Sequence, residues 1–266
     1  MEYLKFIFYG LVQGFTEFIP VSSTAHLKII SLWLGIEDPG SSLSAIIQLG
    51  SVFAIFWYFR NDIFIFKNSI KKNFSNSFLF SKLSKSIFIG TLPIIFIGGF
   101  IRFFIPYFLE NKLRSNFSIA LISLLMAIFM YFADNSRNKF INLRNHNYLN
   151  SLLIGFSQAF AIIPGVSRSG VTISLALLLG WERSEAAKFS FLLGIPAILL
   201  SAIVQLIFSL NQYSNFNFLP LIIGLTTTFF SSLLAIEFLI KYISKRGLRI
   251  FIYYRVLFGV LILLNL

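Results

Sequence analysis

The sequence has no cysteine, two histidines and only 10 acidic residues among 266. Without thiols there are no disulfides, no thiolate metal sites and no cysteine nucleophile. Charge of either sign is scarce: Asp, Glu, Lys and Arg make up 12%, about half of the roughly 25% usual in soluble domains. That is too little charged surface for a water-soluble enzyme of this length, and 57% hydrophobic residues exclude a disordered chain. What is abundant is apolar bulk, including 34 Phe, with a mean hydropathy of +0.82. The class is an all-α integral membrane protein. The 22 Lys+Arg give a net charge of +12. They sit mostly in loops between apolar runs, which fits anionic headgroups and positive-inside topology, so no nucleic-acid partner is expected.

Six stretches read as full spans: about 42–59, 86–106, 115–133, 187–209, 217–240 and 249–265. Residues 3–35 and 148–180 are each too long for one helix. Each is broken near its middle by Pro and hydroxyls, Pro20 to Thr24 and Pro164 to Thr172. Half of such a stretch cannot cross about 30 Å of hydrocarbon at about 1.5 Å per residue. A re-entrant hairpin fits better, its non-helical tip facing protein or a polar cavity. The first run contains Gln13, Thr16, Glu17, Ser22, Ser23 and His26 with no small-residue cleavage pattern after it, so it does not read as a removable signal peptide.

The two hairpins resemble copies. Gln13-Gly14-Phe15 followed by Pro20-Val21-Ser22-Ser23 echoes Gln158-Ala159-Phe160 followed by Pro164-Gly165-Val166-Ser167. A similar span follows each, Gln48 to Ile55 against Leu192 to Ile198. Each copy is one hairpin plus three spans, an odd number, so the second copy enters the membrane inverted. The expected architecture is one polytopic domain over 1–266, with repeat 1 at about 1–133 and repeat 2 at about 148–266. The side opposite the termini collects Arg60, Lys67, Lys71, Lys72, Lys82, Lys85, Arg137, Lys139, Arg144, Arg183, Lys241, Lys245 and Arg246, against Lys5, Lys112 and Arg114 on the terminal side. This bias puts the 60–85 loop, around Asn73, in the cytoplasm and both termini outside.

Polar residues inside these apolar stretches carry the chemistry. Glu17 lies four residues after Gln13 on one helical face. An intramembrane carboxylate costs about 2.5–3.5 kcal/mol on insertion scales and usually faces a polar cavity; alternatively it is protonated and bonded to a backbone carbonyl. Ser22 is placed to cap a helix starting near Val21. Ser22 and Ser23 stand four and three residues before His26, so either hydroxyl can share a face with the imidazole. A hydroxyl, an imidazole and a carboxylate in one segment are the set hydrolytic chemistry needs. His146 reads as solvated loop surface. Gly165-Val166-Ser167-Arg168-Ser169-Gly170-Val171-Thr172 has the composition of a phosphate cradle leading into a helix. Arg168 at a buried hairpin tip needs an anion there, either a ligand or Glu17. Glu237 with Lys241 reads as an i,i+4 pair, Arg102 as a residue that snorkels from a span end, and Ser184 as a helix cap.

The motifs Gln13-Gly14-Phe15-Thr16-Glu17-Phe18-Ile19-Pro20-Val21-Ser22-Ser23-Thr24-Ala25-His26 and Pro164 to Thr172 resemble those of the undecaprenyl-diphosphate phosphatase family linked to bacitracin resistance. The resemblance covers nearly the whole chain, including Ile47 to Ser51 and Phe189 to Leu193. It implies hydrolysis of undecaprenyl diphosphate to undecaprenyl phosphate and inorganic phosphate, which recycles the cell-wall lipid carrier. It also implies a bacterial cytoplasmic-membrane location, a site toward the outer face, the inverted-repeat fold, a homodimer, and dependence on a divalent cation, Mg²⁺ or Ca²⁺. Glu17, with Gln13, is the candidate ligand pair; the family pattern allows Glu or Gln at Gln13, and Gln here removes one carboxylate. In this reading Ser23 or a water attacks the terminal phosphorus and His26 serves as general base or acid. Glu17 orients His26, holds the metal or is itself the base. Ser22, Thr24, Ser167, Arg168, Ser169, Thr172 and Gln13 bind the diphosphate. The competing class is a transporter that flips a lipid phosphate through the same midplane site.

Overall fold

A computed structural model describes residues 2–60, 74–104, 112–136, 140–210 and 218–265. Lys67, Lys71, Lys72, Asn73, Arg137 and Lys139 lie outside the described residues, as does the side chain of Arg102. The described part is helical apart from turns and a single β-bridge, Ile141 with Trp181. The helices are α1 (Glu2–Phe18), α2 (Ser23–Trp33), α3 (Gly40–Ile47), α4 (Leu49–Tyr58), α5 (Phe74–Phe104), α6 (Asn116–Asp134), α7 (Tyr148–Ala159), α8 (Arg168–Leu178), α9 (Arg183–Leu210), α10 (Phe218–Arg246) and α11 (Arg249–Leu264).

Five segments among the described residues are long and apolar enough to cross a bilayer: Gly40–Tyr58, Ser81–Ile101, Asn116–Asp134, Arg183–Gln205 and Phe218–Arg246. The protein is a multi-pass membrane protein by this measure. The expected sixth span at 249–265 is α11, whose 16 residues reach about 24 Å at 1.5 Å per residue, short of the hydrocarbon core. Its start is set by Gly247, which turns the chain at φ +70. There Asp134 Oδ2 accepts the Leu248 N–H at 3.0 Å while Oδ1 holds Arg183 at 2.7 Å. α9 begins at Arg183, so Ser184 lies inside the first turn and does not cap it. The exposed i,i+4 pair of Glu237 and Lys241 forms at 2.5 Å.

The two stretches broken by Pro and hydroxyls fold as helical hairpins, α1–α2 and α7–α8. Between α7 and α8 the chain runs through a 3₁₀ turn, Phe160–Ile162. Glycines let the first arm of each hairpin lie flush on a long helix. A Cβ at Gly14 would sit 1.9 Å from Ser231 Oγ of α10, and one at Gly155 of α7 would sit 2.1 Å from the Gly90 carbonyl of α5. Such contacts, with Ser231 donating to the Gly10 carbonyl at 3.0 Å and Ser51 and Ser232 bonded at 2.9 Å, replace the hydrophobic drive that is absent between helices in lipid. Phe53, Phe88 and Phe96 point outward, as expected of a lipid-facing surface.

Candidate active site

Glu17 lies in the last turn of α1 and is buried. Its Oε2 accepts hydrogen bonds from Gln13 Nε2 at 2.9 Å and Ser23 Oγ at 3.0 Å. Its Oε1 accepts from Arg168 Nη2 at 2.9 Å and Nε at 3.3 Å. The Gln13–Glu17 spacing gives the first contact by helical geometry alone. The Ser23 contact needs the turn that follows, and the Arg168 contact needs the second hairpin. Arg168 is fixed on its far side by Nη1 donating to the Ser190 carbonyl at 3.0 Å. The space it occupies exists because residue 194 is glycine: a Cβ there would lie 1.9 Å from Nη1. Removing either member of a buried ion pair leaves an uncompensated charge, a loss of about 3–5 kcal/mol. Glu17 and Arg168 therefore lock the tips to each other.

Both tips use the same backbone device. Ser22 (φ 80) and Ser167 (φ 73) are the only described non-glycine residues with positive φ. Each precedes the first residue of its helix, α2 or α8. Left-handed backbone at a serine costs about 1–3 kcal/mol and persists where its surroundings hold it. Ser167 is held by its own hydroxyl, which accepts the Gly170 N–H at 3.1 Å. Ser22 stands at the expected cap position, but its hydroxyl makes no capping bond and instead lies 3.3 Å from Thr24 Oγ1. Its carbonyl is bonded by the His26 ring, with Nδ1 at 2.8 Å.

His26 does not meet the hydroxyl of Ser22 or Ser23, although their spacing allows it. Its Nε2 is 2.7 Å from the hydroxyl of Tyr254 on α11, and its ring stacks on Phe258 at 4.2 Å. Ser169 donates to the Glu17 carbonyl at 3.1 Å. Thr172 donates to the Arg168 carbonyl at 2.8 Å and is 2.6 Å from Ser190 Oγ. Ser169 thus ties the tips together and Thr172 ties α8 to α9, neither facing outward, while Thr24 is exposed and Ser22, Ser23 and Ser167 lie just beneath the surface.

Arg255 of α11 was not anticipated. It is fully buried, and no acid pairs with it among the described residues. Its Nη1 donates to the Pro20 carbonyl at 3.1 Å, Nη2 to the Gly165 carbonyl and Nε to the Ser123 carbonyl at 3.4 Å. One guanidinium thus bridges the backbones of both tips. A cation in the middle of an apolar 16-residue helix was the signal that would have flagged it.

His146 is also placed differently from the solvated loop expected for it. It is buried, with Nε2 2.7 Å from Ser86 Oγ and Nδ1 3.0 Å from the Leu143 carbonyl, against Trp181 and Phe189. Burial pushes its pKa below the ordinary histidine value.

The donor set does not fit a protein-held Mg²⁺ or Ca²⁺. Such ions take six or more oxygen ligands, usually several from carboxylates. Among the described residues no three His, Cys, Asp or Glu side chains cluster. Both Glu17 oxygens already accept from a guanidinium, an amide and a hydroxyl. Gln13 turns its amide donor toward Glu17, leaving Oε1 as a lone buried acceptor. The positive charge at the tips comes from Arg168 and Arg255.

A family profile described as bacitracin resistance protein BacA matches residues 6–261. The chain belongs to the BacA family. BacA membership agrees with the resemblance carried by the two tip motifs. Among BacA relatives, the "Undecaprenyl-diphosphatase" of Prochlorococcus marinus strain MIT 9515 is 66% identical over 266 residues, covering 100% of both chains. The protein of that name from strain MIT 9215 is 65% identical, again over 100% of both. A more distant one, from strain NATL2A, is 43% identical over 98% of this chain and 95% of its own length.

Proposed function

We propose that this protein is an undecaprenyl-diphosphatase, hydrolysing undecaprenyl diphosphate to undecaprenyl phosphate and inorganic phosphate. The observation that carries the reading is Glu17 held between the Ser23 hydroxyl at 3.0 Å and the Arg168 guanidinium at 2.9 Å, where the two tips meet. Ser23 Oγ, or a water in its place, attacks the terminal phosphorus and its proton passes to Glu17 Oε2. The bond from phosphorus to the bridging oxygen breaks, and undecaprenyl phosphate leaves. Where Ser23 is the nucleophile, a water then cleaves the phosphoserine, releasing phosphate and restoring the hydroxyl. Arg168 keeps one N–H on each terminal nitrogen beyond its bonds to Glu17 and the Ser190 carbonyl, and offers these to the equatorial oxygens, where charge develops. Ser22, Thr24 and Ser167 line the approach. No step passes through a divalent ion. A carrier needs no hydroxyl set against a carboxylate, so the transporter reading is not favoured. The decisive test is phosphate release from a long-chain prenyl diphosphate by purified protein. Turnover is expected; headgroup-specific lipid exchange without phosphate release would overturn the reading.

The same proposal extends to architecture and placement. Each half is one re-entrant hairpin plus three membrane-crossing elements, related by an inverted repeat within one domain, about 1–133 and 148–266. In support, Ser22 and Ser167 share a left-handed conformation 145 residues apart. Gln13 and Gln158 stand at the same offset and are both buried. Arg255 bonds the carbonyls of Pro20 and Gly165, again at that offset. The Lys/Arg asymmetry favours termini outside the cytoplasm; the family resemblance adds the bacterial cytoplasmic membrane, a site toward its outer face and a homodimer. Cysteine at Glu37 should react with an impermeant thiol reagent in intact cells, and cysteine at Arg144 only after lysis. The opposite pattern would invert the orientation.

A further inference from the structure

We propose that Tyr254 is a positioning residue for this reaction: its hydroxyl anchors the His26 ring at Nε2, and His26 in turn holds the first tip so that Ser23 stays against Glu17. The inference rests on the phosphatase reading for its kinetic consequences, though not for the hydrogen bond itself. His26 is buried and has two polar neighbours, the Ser22 carbonyl at Nδ1 and the Tyr254 hydroxyl at Nε2. A carbonyl can only accept, so Nδ1 carries the proton. Nε2 is then the acceptor, and the phenol O–H points at it. The ring lies nearly parallel to Phe258, 9° between planes, and to Tyr254, 16° between planes, which fixes its orientation.

In this arrangement His26 cannot take the Ser23 proton. Its basic nitrogen faces α11, while the Ser23 hydroxyl donates to Glu17. What the ring does is close the first tip. At the second tip the Ser167 hydroxyl accepts the Gly170 N–H. At the first tip the Ser22 hydroxyl makes no such bond, and the imidazole holds the Ser22 carbonyl instead. If the proton moved to Nε2, the Nδ1 lone pair would face the Ser22 carbonyl oxygen. Two acceptors would then oppose each other beneath a left-handed serine, next to the nucleophile. The Ser22 carbonyl disfavours that tautomer, and the Tyr254 hydroxyl, donating to Nε2, keeps the ring seated against that carbonyl. Arg255, the next residue of α11, holds the Pro20 carbonyl of the same tip, so adjacent side chains of one helix set its backbone and its imidazole.

Tyr254→Phe keeps the ring and removes the donor. At matched thermal stability it should lower kcat by about 10- to 100-fold, the effect of a misplaced reacting group, with KM little changed. Nitrogen-15 spectra of histidine-labelled protein should show the Nδ1–H tautomer at His26 in both proteins, with the Nε2 signal shifted by its hydrogen bond in the parent and unshifted in Tyr254→Phe. His26→Asn offers an amide donor in place of Nδ1–H, so it should keep more activity than His26→Ala. In that background Tyr254→Phe should have no further effect. Parental kcat and an unchanged Nε2 signal in Tyr254→Phe would overturn the proposal, as would a loss that adds in full to His26→Asn. If the parent protein releases no phosphate, the phosphatase reading fails, and the nitrogen spectra still decide whether Tyr254 holds His26 at Nε2.

Discussion

Gly194→Ala tests the centre of the site without touching any group that carries charge or a proton. The new Cβ would stand 1.9 Å from Arg168 Nη1 and 2.4 Å from Cζ, where ordinary contact begins at 3.4 Å. The guanidinium must retreat by about 1.5 Å, and a 1 Å misplacement of a reacting group can lower rates about 10²-fold. It has no slack in which to do so. Bonds of 2.9 and 3.3 Å tie it to Glu17 and one of 3.0 Å to the Ser190 carbonyl, so a shift of that size breaks at least one side. The helix itself gains, since alanine is better than glycine in a helix interior by about 1 kcal/mol. Folding should therefore survive while turnover falls by about 10²-fold or more. Gly99→Ala in α5 is the control, because a Cβ there meets nothing within 4 Å; it gains the same propensity and should leave turnover unchanged. The assay is kcat and KM for phosphate release from a long-chain prenyl diphosphate in detergent. Lysine at 168 has a slimmer end, so Gly194→Ala should add little to Arg168→Lys. Parental turnover in Gly194→Ala would show that Arg168 need not sit at Glu17 for catalysis.

Glu17→Gln should express and fold but lose at least about 10²-fold in phosphate release, since the amide cannot receive the Ser23 proton; near-parental kcat would return Glu17 to a purely structural role. Arg168→Lys should keep a small fraction of activity and Arg168→Ala almost none, because lysine retains charge without the planar fork. Cysteines at 23 and 168 should crosslink in the folded protein, and failure to do so would separate the tips. Burial lowers the His146 pKa, so the unfolded chain binds a proton first as pH falls below about 6.5. Stability is then complete above that pH, declines as pH drops toward the lowered folded value and levels off below it. Thermal unfolding midpoints from pH 8 to 5 should fall less in His146→Gln than in the parent, and equal slopes would refute the assignment.

Much of the site was legible from composition and spacing. Glu17 and Arg168 announced themselves because a charge within an apolar run has few excuses, and the proline-broken stretches marked the turns between paired helices. Spacing could not reveal what a third element does to a side chain. Ser23 and His26 are three apart on one helix, yet Tyr254, 228 residues away in sequence, draws the imidazole the other way. Its place in a loop suggested water around His146, but Trp181 and Phe189 cover it. The helix at 249–264 was read as one more span because its residues are apolar. The arginine within it was the clue to a second job.

That job has a bearing on biogenesis. The carbonyls of Pro20 and Gly165 lie far apart in synthesis, and both wait for a guanidinium from α11, which follows every other described helix in order of translation. Until α11 enters the bilayer, neither tip has its clamp and His26 lacks its phenol. A nascent chain can thus insert its earlier helices among lipids carrying the very diphosphate it will cleave, and stay inert until α11 has joined them.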